Sequence, residues 1–330
     1  MASSCRLHAS LVRQGSAVAH PDTMGEEMSV MKLLIVGADG QLGTDMARLL
    51  APLSAVTALT FHDLDITGRA GVKQAIESAR PDVVVNCAAY TAVDRAETEQ
   101  DAAYRVNVLG ARNVAQAAQR VGARVVYFST DYIFDGMATE PYDEEAPTGP
   151  LSIYGRTKLQ GEQATREANP DHLILRLAWL YGSTGHNFVR TVLRLSHEKD
   201  ELRIVDDQVG SPTFTEDVVH QLWTAIEDGC SGTYHCVNAG QASWHAFATR
   251  IVHRLGLNVP VIAIHTVDYP APARRPVYSV LANRKFELEQ LGGMRPWEGA
   301  LDDCLLQYRE QLSSASSESN ASLGKARIEE

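Results

Sequence analysis

Short, unbroken apolar runs alternate with longer amphipathic stretches over the first half of the chain. Lys32-Leu33-Leu34-Ile35-Val36 is the first such run, of the kind a strand covered on both faces requires. Further strands are expected at residues 55–61, 81–86, 124–128 and 172–177. Helical patterning fills the intervals: residues 44–50, a segment through Ile76, then roughly 102–121 and 152–168. Strands and helices alternating at this pace predict an α/β fold built on a doubly wound parallel sheet. Beyond Leu177 the alternation weakens. Helices are expected near 188–199, 217–226, 243–255, 284–291 and 297–310, with strands at 202–205, 233–238 and 261–264.

The first strand runs directly into Gly37-Ala38-Asp39-Gly40-Gln41-Leu42-Gly43 and then into a helix. In that context glycines permit a tight turn and close approach of backbone to a pyrophosphate at a helix N-terminus, so the pattern points to a dinucleotide. Ligands of such sheets lie beyond the carboxyl ends of the strands, where Thr91 and Thr130 fall. No arginine stands in the stretch 62–67 to meet a 2′-phosphate, which leaves NADH and NADPH both open. Asp63 and Asp65 there also read as loop residues, with Thr67 or Asp65 capping the next helix. Asn107 and Asn113 either anchor loops or decorate a polar helix surface.

Tyr154 and Lys158 are four residues apart, which on a helix puts both on one face. A phenol titrates near 10, and a nearby cation favours the phenolate. Bringing it to about 7 needs roughly 4 kcal/mol.

These features divide the chain into an N-terminal extension, 1–30, expected to be disordered; a dinucleotide-binding domain, 31–178; a smaller substrate-binding α/β portion, 179–310, partly interleaved with the first sheet; and a disordered tail, 311–330. Residues up to His20 carry Arg6, Arg13 and several serines without an acid, a faint likeness to a transit peptide. Met24, Met28 and Met31 fit an upstream start more simply. A net charge of −11 argues against nucleic acid or an anionic membrane as the main partner. No apolar run reaches the length of a membrane span. Five cysteines without a CxxC suggest a reducing compartment, hence the cytoplasm. Cys87 reads as a small buried hydrophobe. The histidines show no metal-ligand spacing, and Mg²⁺ finds no local cluster of ligands.

Seven motifs follow in order: GADGQLG from Gly37, NCAAYTAVDRAE from Asn86, STDYIFDG from Ser129, YGRTKLQGE from Tyr154, WLYG from Trp179, DDQVGSPT from Asp206 and RRPVYSVL from Arg274. Together they resemble the extended short-chain dehydrogenase/reductases with their Rossmann-type sheet, and within them the dTDP-4-dehydrorhamnose reductase family, from about Met31 to Arg309. The GxxGxxG spacing matches the short-chain variant rather than the commoner GxGxxG. The resemblance implies hydride transfer from NADPH or NADH to the C4 ketone of a dTDP-4-keto-6-deoxysugar by a monomer or homodimer. It makes Tyr154 the proton donor, Thr130 a hydrogen-bond partner of the same oxygen, and Lys158 the holder of the nicotinamide ribose. It places Gly37, Gly40, Gln41, Leu42, Gly43, Asp65, Ile66, Ala89, Tyr90, Thr91 and Phe128 at the cofactor, Asp131 and Trp179 at the sugar nucleotide, and Arg275 near the diphosphate or in a surface ion pair. Related 4,6-dehydratases carry a glutamate where this chain has Tyr132. Sugar-nucleotide epimerases share the YxxxK pair, and the regulatory subunit of methionine adenosyltransferase, a binding partner rather than an enzyme, is similar as well.

Overall fold

The computed structural model describes residues 30–310. The terminal segments 1–29 and 311–330 lie outside the described residues, and with them the expectations made there. The first half runs β1 (Lys32–Val36), α1 (Gln41–Leu50), β2 (Ala55–Leu59), α2 (Arg69–Ala79), β3 (Val83–Asn86), the short turns α3 (Val93–Ala96) and α4 (Gln100–Tyr104), α5 (Ala111–Val121), β4 (Arg124–Thr130), α6 (Ile153–Ala168) and β5 (His172–Leu177). The second half contributes β6 (Leu180–Tyr181), α7 (Phe188–Glu198), β7 (Leu202–Val205), β8 (Val209–Gly210), β9 (Thr213–Phe214), α8 (Thr215–Glu227), β10 (Gly232–His235), β11 (Ala242–Ser243), α9 (Trp244–Leu255), β12 (Val261–Ile264) and α10 (Arg284–Leu288). A last helix, α11, begins at residue 297 and continues to 310.

Six parallel strands form the main sheet in the order β10-β5-β4-β3-β1-β2. Side chains alternate across a strand, so the apolar runs feed two cores at once. Leu33, Ile35, Val85, Val126 and Leu175 pack on one face with Met46 of α1 and Val218 and Leu222 of α8. Leu34, Val36, Val84 and Val125 pack on the other with Val72 and Ile76 of α2 and Val114 and Ala118 of α5. A separate core in the second half gathers Tyr181, Phe214, Phe247, Trp297 and Leu301. β10 joins the sheet beside β5, with Gly232 opposite Leu173. Register aligns the strand ends: Val36 pairs with Asn86, Asn86 with Tyr127, and Thr130 with Leu177. The loops after β1, β3, β4 and β5 therefore open on one edge.

Several boundaries differ from the sequence reading. α1 starts at Gln41, inside the glycine loop. Neither Asp65 nor Thr67 caps α2; Gly68 occupies that position, and Asp65 instead accepts from the Thr67 amide and hydroxyl, both at 2.9 Å. The helix expected over 102–121 contains a π-helical stretch, Arg105–Gly110. There Gly110 backs onto Ile66, whose Cδ1 lies 2.5 Å from where a β-carbon would stand.

Candidate active site

The loop after β1 is held by contacts only glycine permits. Gly37 has φ +76°, and a β-carbon there would meet the Ala88 amide nitrogen at 2.7 Å. A β-carbon on Gly43 would meet the Gly37 carbonyl at 2.2 Å, so α1 is pressed down onto its own loop. Gly40 precedes α1 and offers no side-chain cap, which leaves the first amides of the helix open to an anion. The Gln41 Oε1 atom beside them is buried without a partner. An uncapped helix start and an orphaned polar atom at the cleft wall fit a dinucleotide phosphate.

A cleft of about 780 Å³ lies over these strand ends. Gly40, Gln41 and Leu42 line it, as do Ala89, Thr91, Phe128, Thr130, Asp131, Tyr154, Lys158 and Trp179. Gly37, Gly43, Asp65, Ile66 and Tyr90, also expected at the cofactor, are not among the residues lining the cleft. Cys87, read as a buried hydrophobe, is only half-buried and also faces the cleft; burial pushes its thiol up to about 12, so it is not a nucleophile.

Two asparagines brace the loops. Asn107, 1% exposed, accepts from the Tyr90 amide at 2.8 Å and donates to the Tyr90 carbonyl at 3.1 Å and to Thr157 Oγ1 at 3.0 Å. It thus ties the β3 loop to the helix that carries Tyr154. Asn113 donates to the Ile66 carbonyl at 3.0 Å. The Tyr90 hydroxyl is turned to Glu99 at 2.7 Å. Sequence spacing offered no signal for these partners beyond an amide inside a helix.

Ser152 caps α6 by accepting from the Gly155 amide at 3.1 Å, and Glu97 takes the Ile153 amide at 2.9 Å. A β-carbon on Gly155 would lie 2.1 Å from the Tyr132 carbonyl. Tyr154 lines the same cleft as Thr130, whose hydroxyl favours the ionised phenol. Burial pushes the Tyr154 phenol up to about 12, with Thr130 opposing. The expected acidification by Lys158 is not seen. Lys158, 3% exposed, donates to the Phe128 carbonyl at 2.6 Å and sits 4.3 Å from the Tyr127 ring centre. Burial lowers it to about 7.

Trp179 adopts φ +43°, a costly conformation for a bulky residue. Its indole stacks on Trp244 of α9 at 3.5 Å and 5°, and a β-carbon on Gly210 would strike its edge at 2.4 Å. Trp244 lay in none of the motifs. Arg275 forms a bidentate pair with Asp94, at 3.0 and 2.8 Å. Among the described residues no group of three acidic, histidine or cysteine side chains is set to hold a metal, and no helix is long and apolar enough to cross a membrane.

The family model described as RmlD substrate binding domain matches residues 31–310. The spore coat polysaccharide biosynthesis protein SpsK of Bacillus subtilis is 41% identical over 287 residues, covering 86% of this chain and 99% of its own. A dTDP-4-dehydrorhamnose reductase of Burkholderia thailandensis is 42% identical over 294 residues, 83% of this chain and 98% of its own. The crystal structure of a dTDP-4-dehydrorhamnose reductase from Bacillus anthracis in complex with NADP superposes with a TM-score of 0.83 at 40% identity, covering 84% of this chain and 99% of that one.

Proposed function

This chain belongs to the RmlD substrate-binding-domain family, and from that premise we propose that it is an NAD(P)H-dependent reductase that converts dTDP-4-dehydro-L-rhamnose to dTDP-L-rhamnose. The observation that carries the reading is the convergence of Thr130, Tyr154 and Lys158 with the glycine loop around one cleft. Its place is nucleotide-sugar synthesis for cell-surface polysaccharide, in the cytoplasm, by a monomer or homodimer.

A nicotinamide bound in this cleft would supply the hydride. The rest falls to the chain. The open amides of α1, with Gly40, Gln41 and Leu42, take the cofactor phosphates, and Ala89, Thr91 and Phe128 bear on its remainder. Addition at C4 of the sugar builds charge on one oxygen, which needs positioned donors and a proton. Burial keeps the Tyr154 phenol protonated at neutral pH, so the proton this step needs is in place. Tyr154 protonates the oxygen and Thr130 hydrogen-bonds it. Lys158 would hold the nicotinamide ribose. Asp131 and Trp179 bear on the substrate hexose.

Dehydratase chemistry lacks its base: burial drives the Tyr132 phenol far above its ordinary range, and no carboxylate occupies that position. The discriminating experiment is incubation with the dTDP-4-keto-6-deoxysugar and NADPH. Stoichiometric NADPH oxidation with a rhamno-configured product by NMR supports the reading. Turnover without net NADPH consumption overturns it in favour of an epimerase.

A further inference from the structure

We infer that Asp39 selects the cofactor at its adenosine end, taking a ribose with a free 2′-hydroxyl and turning away a 2′-phosphate, so that NADH is bound in preference to NADPH. The inference rests on the cofactor half of the reductase reading and deepens it. Val36 closes β1 opposite Leu59, which closes β2. The glycine loop is fastened to that strand end: the Gly37 and Ala38 amides both donate to the Leu59 carbonyl, at 2.9 and 3.0 Å. Asp39 comes next, and its Oδ1 accepts from the Phe61 amide at 3.1 Å. The carboxylate thus bridges the glycine loop and the first residues beyond β2, the corner where the ribose of a dinucleotide falls in such sheets. The Phe61 ring, 64% exposed, offers an adenine an apolar face beside it.

Three carboxylates stand on these two loops, and their contacts separate them. Asp63 closes its own turn, accepting from the Thr60 amide at 2.9 Å and the Thr60 hydroxyl at 2.7 Å. Asp65 is taken up by Thr67 in the same way. Asp39 alone of the three lines the cleft. With Oδ1 engaged by a backbone amide, its Oδ2 is left for a ligand.

An ionised carboxylate only accepts hydrogen bonds, and a ribose 2′-hydroxyl has a proton to give it. A 2′-phosphate brings about 1.5–2 negative charges near neutrality, and like charges a few ångström apart repel. A cation would have to offset this, yet residues 49–68 contain neither lysine nor arginine. Arg48 is held by Asp45 at 3.0 Å and by Glu216. His62 packs edge-on against the Phe61 ring at 5.9 Å. Arg69, which opens α2 beyond Gly68, is the rival cation.

The test compares wild type with Asp39→Asn and Arg69→Ala. Asp39→Asn keeps an acceptor for the Phe61 amide and removes the charge, so the loop should hold. Calorimetric titration of the full chain with NADH and NADPH, and with ADP and 2′-phospho-ADP, reads the choice without turnover. Wild type should bind NADH about tenfold more tightly than NADPH at low salt, and the gap should narrow as salt screens it. D39N should bring the two dinucleotides within about threefold, mainly by gaining affinity for NADPH, and the ADP pair should follow the same pattern. Wild type binding NADPH as tightly as NADH overturns the inference. So does a D39N ratio equal to that of wild type, or a ratio that moves in R69A but not in D39N. Binding of neither dinucleotide overturns the cofactor reading and this inference with it. A protein that shows the preference yet leaves the keto sugar unreduced supports the inference and overturns only the reductase reading.

Discussion

Lys158 Nζ is hydrogen-bonded to the Phe128 carbonyl at 2.6 Å, one turn of α6 away from the tyrosine it was expected to acidify. A buried ammonium with one carbonyl and one aromatic face is incompletely compensated for lost water. The lysine is therefore poised to trade that carbonyl for ribose hydroxyls. Lys158→Met should weaken NADPH binding and turnover together. Its folded pKa, about 7, lies below the ordinary 10.5, so the unfolded chain binds the extra proton between those values. Wild-type stability should then rise as pH climbs from about 7 toward 10.5, and thermal melts of K158M should lack that rise. A variant with unchanged NADPH affinity would place the lysine outside the cofactor site.

Gly43 allows α1 to rest on its own loop. In Gly43→Ala the new methyl would lie 2.2 Å from a backbone carbonyl, which cannot swing aside as a side chain can. The expected cost is ~1–3 kcal/mol, read as a lower melting temperature. NADPH affinity should fall more than tenfold as the phosphate loop is displaced. Unaltered affinity would show that the loop does not hold the phosphates.

Trp244 fixes the plane of Trp179. Removing one ring of an aromatic pair forfeits ~0.5–1.5 kcal/mol beyond area, and here it also frees a backbone held at φ +43°. Trp244→Ala should raise the KM for the sugar nucleotide several-fold, change kcat little and reduce the near-UV circular dichroism of the indoles. Trp244→Phe should restore much of the KM. A dichroism change with no change in KM would mean that the orientation of Trp179 is irrelevant to binding.

His235 predicts an acid limb of stability. It lies fully buried, with Nε2 facing Arg176 at 3.4 Å and Nδ1 facing the Ala282 carbonyl at 3.1 Å. Burial, then Arg176, lowers it from 6.5 to about 3. The neutral ring is therefore assigned a proton on Nδ1. Below about 6.5 the unfolded chain binds a proton that the fold refuses, so stability is present above that pH and is lost as pH falls toward 3. Comparing denaturant midpoints of His235→Gln and wild type across this range isolates the effect, and the difference between them should shrink as pH falls. A difference independent of pH would contradict the assignment.

Much of the scaffold was legible because the strands are covered on both faces, which forces unbroken apolar runs such as residues 32–36. That Thr130 stands at a strand end over the cleft was legible because strand ends are local facts; its partnership with Tyr154 came only with the family resemblance. The bond from Lys158 to Phe128 was not, since it depends on how α6 lies over β4, and no local pattern encodes that depth. The stacking of Trp179 on Trp244 joins residues 65 positions apart in sequence (244 − 179). Asn107 was ambiguous for the same reason: an amide inside a helix declares its partner only when the neighbouring loop is in place.

Asn107 grips both the Tyr90 loop and Thr157, three residues beyond Tyr154. Whatever steadies the one steadies the other. Occupancy of the nucleotide half should therefore sharpen the sugar half, and the thermodynamic linkage must be reciprocal. Such a bridge favours a compulsory order of addition, in which the dinucleotide arrives first and the hexulose meets a site already stiffened.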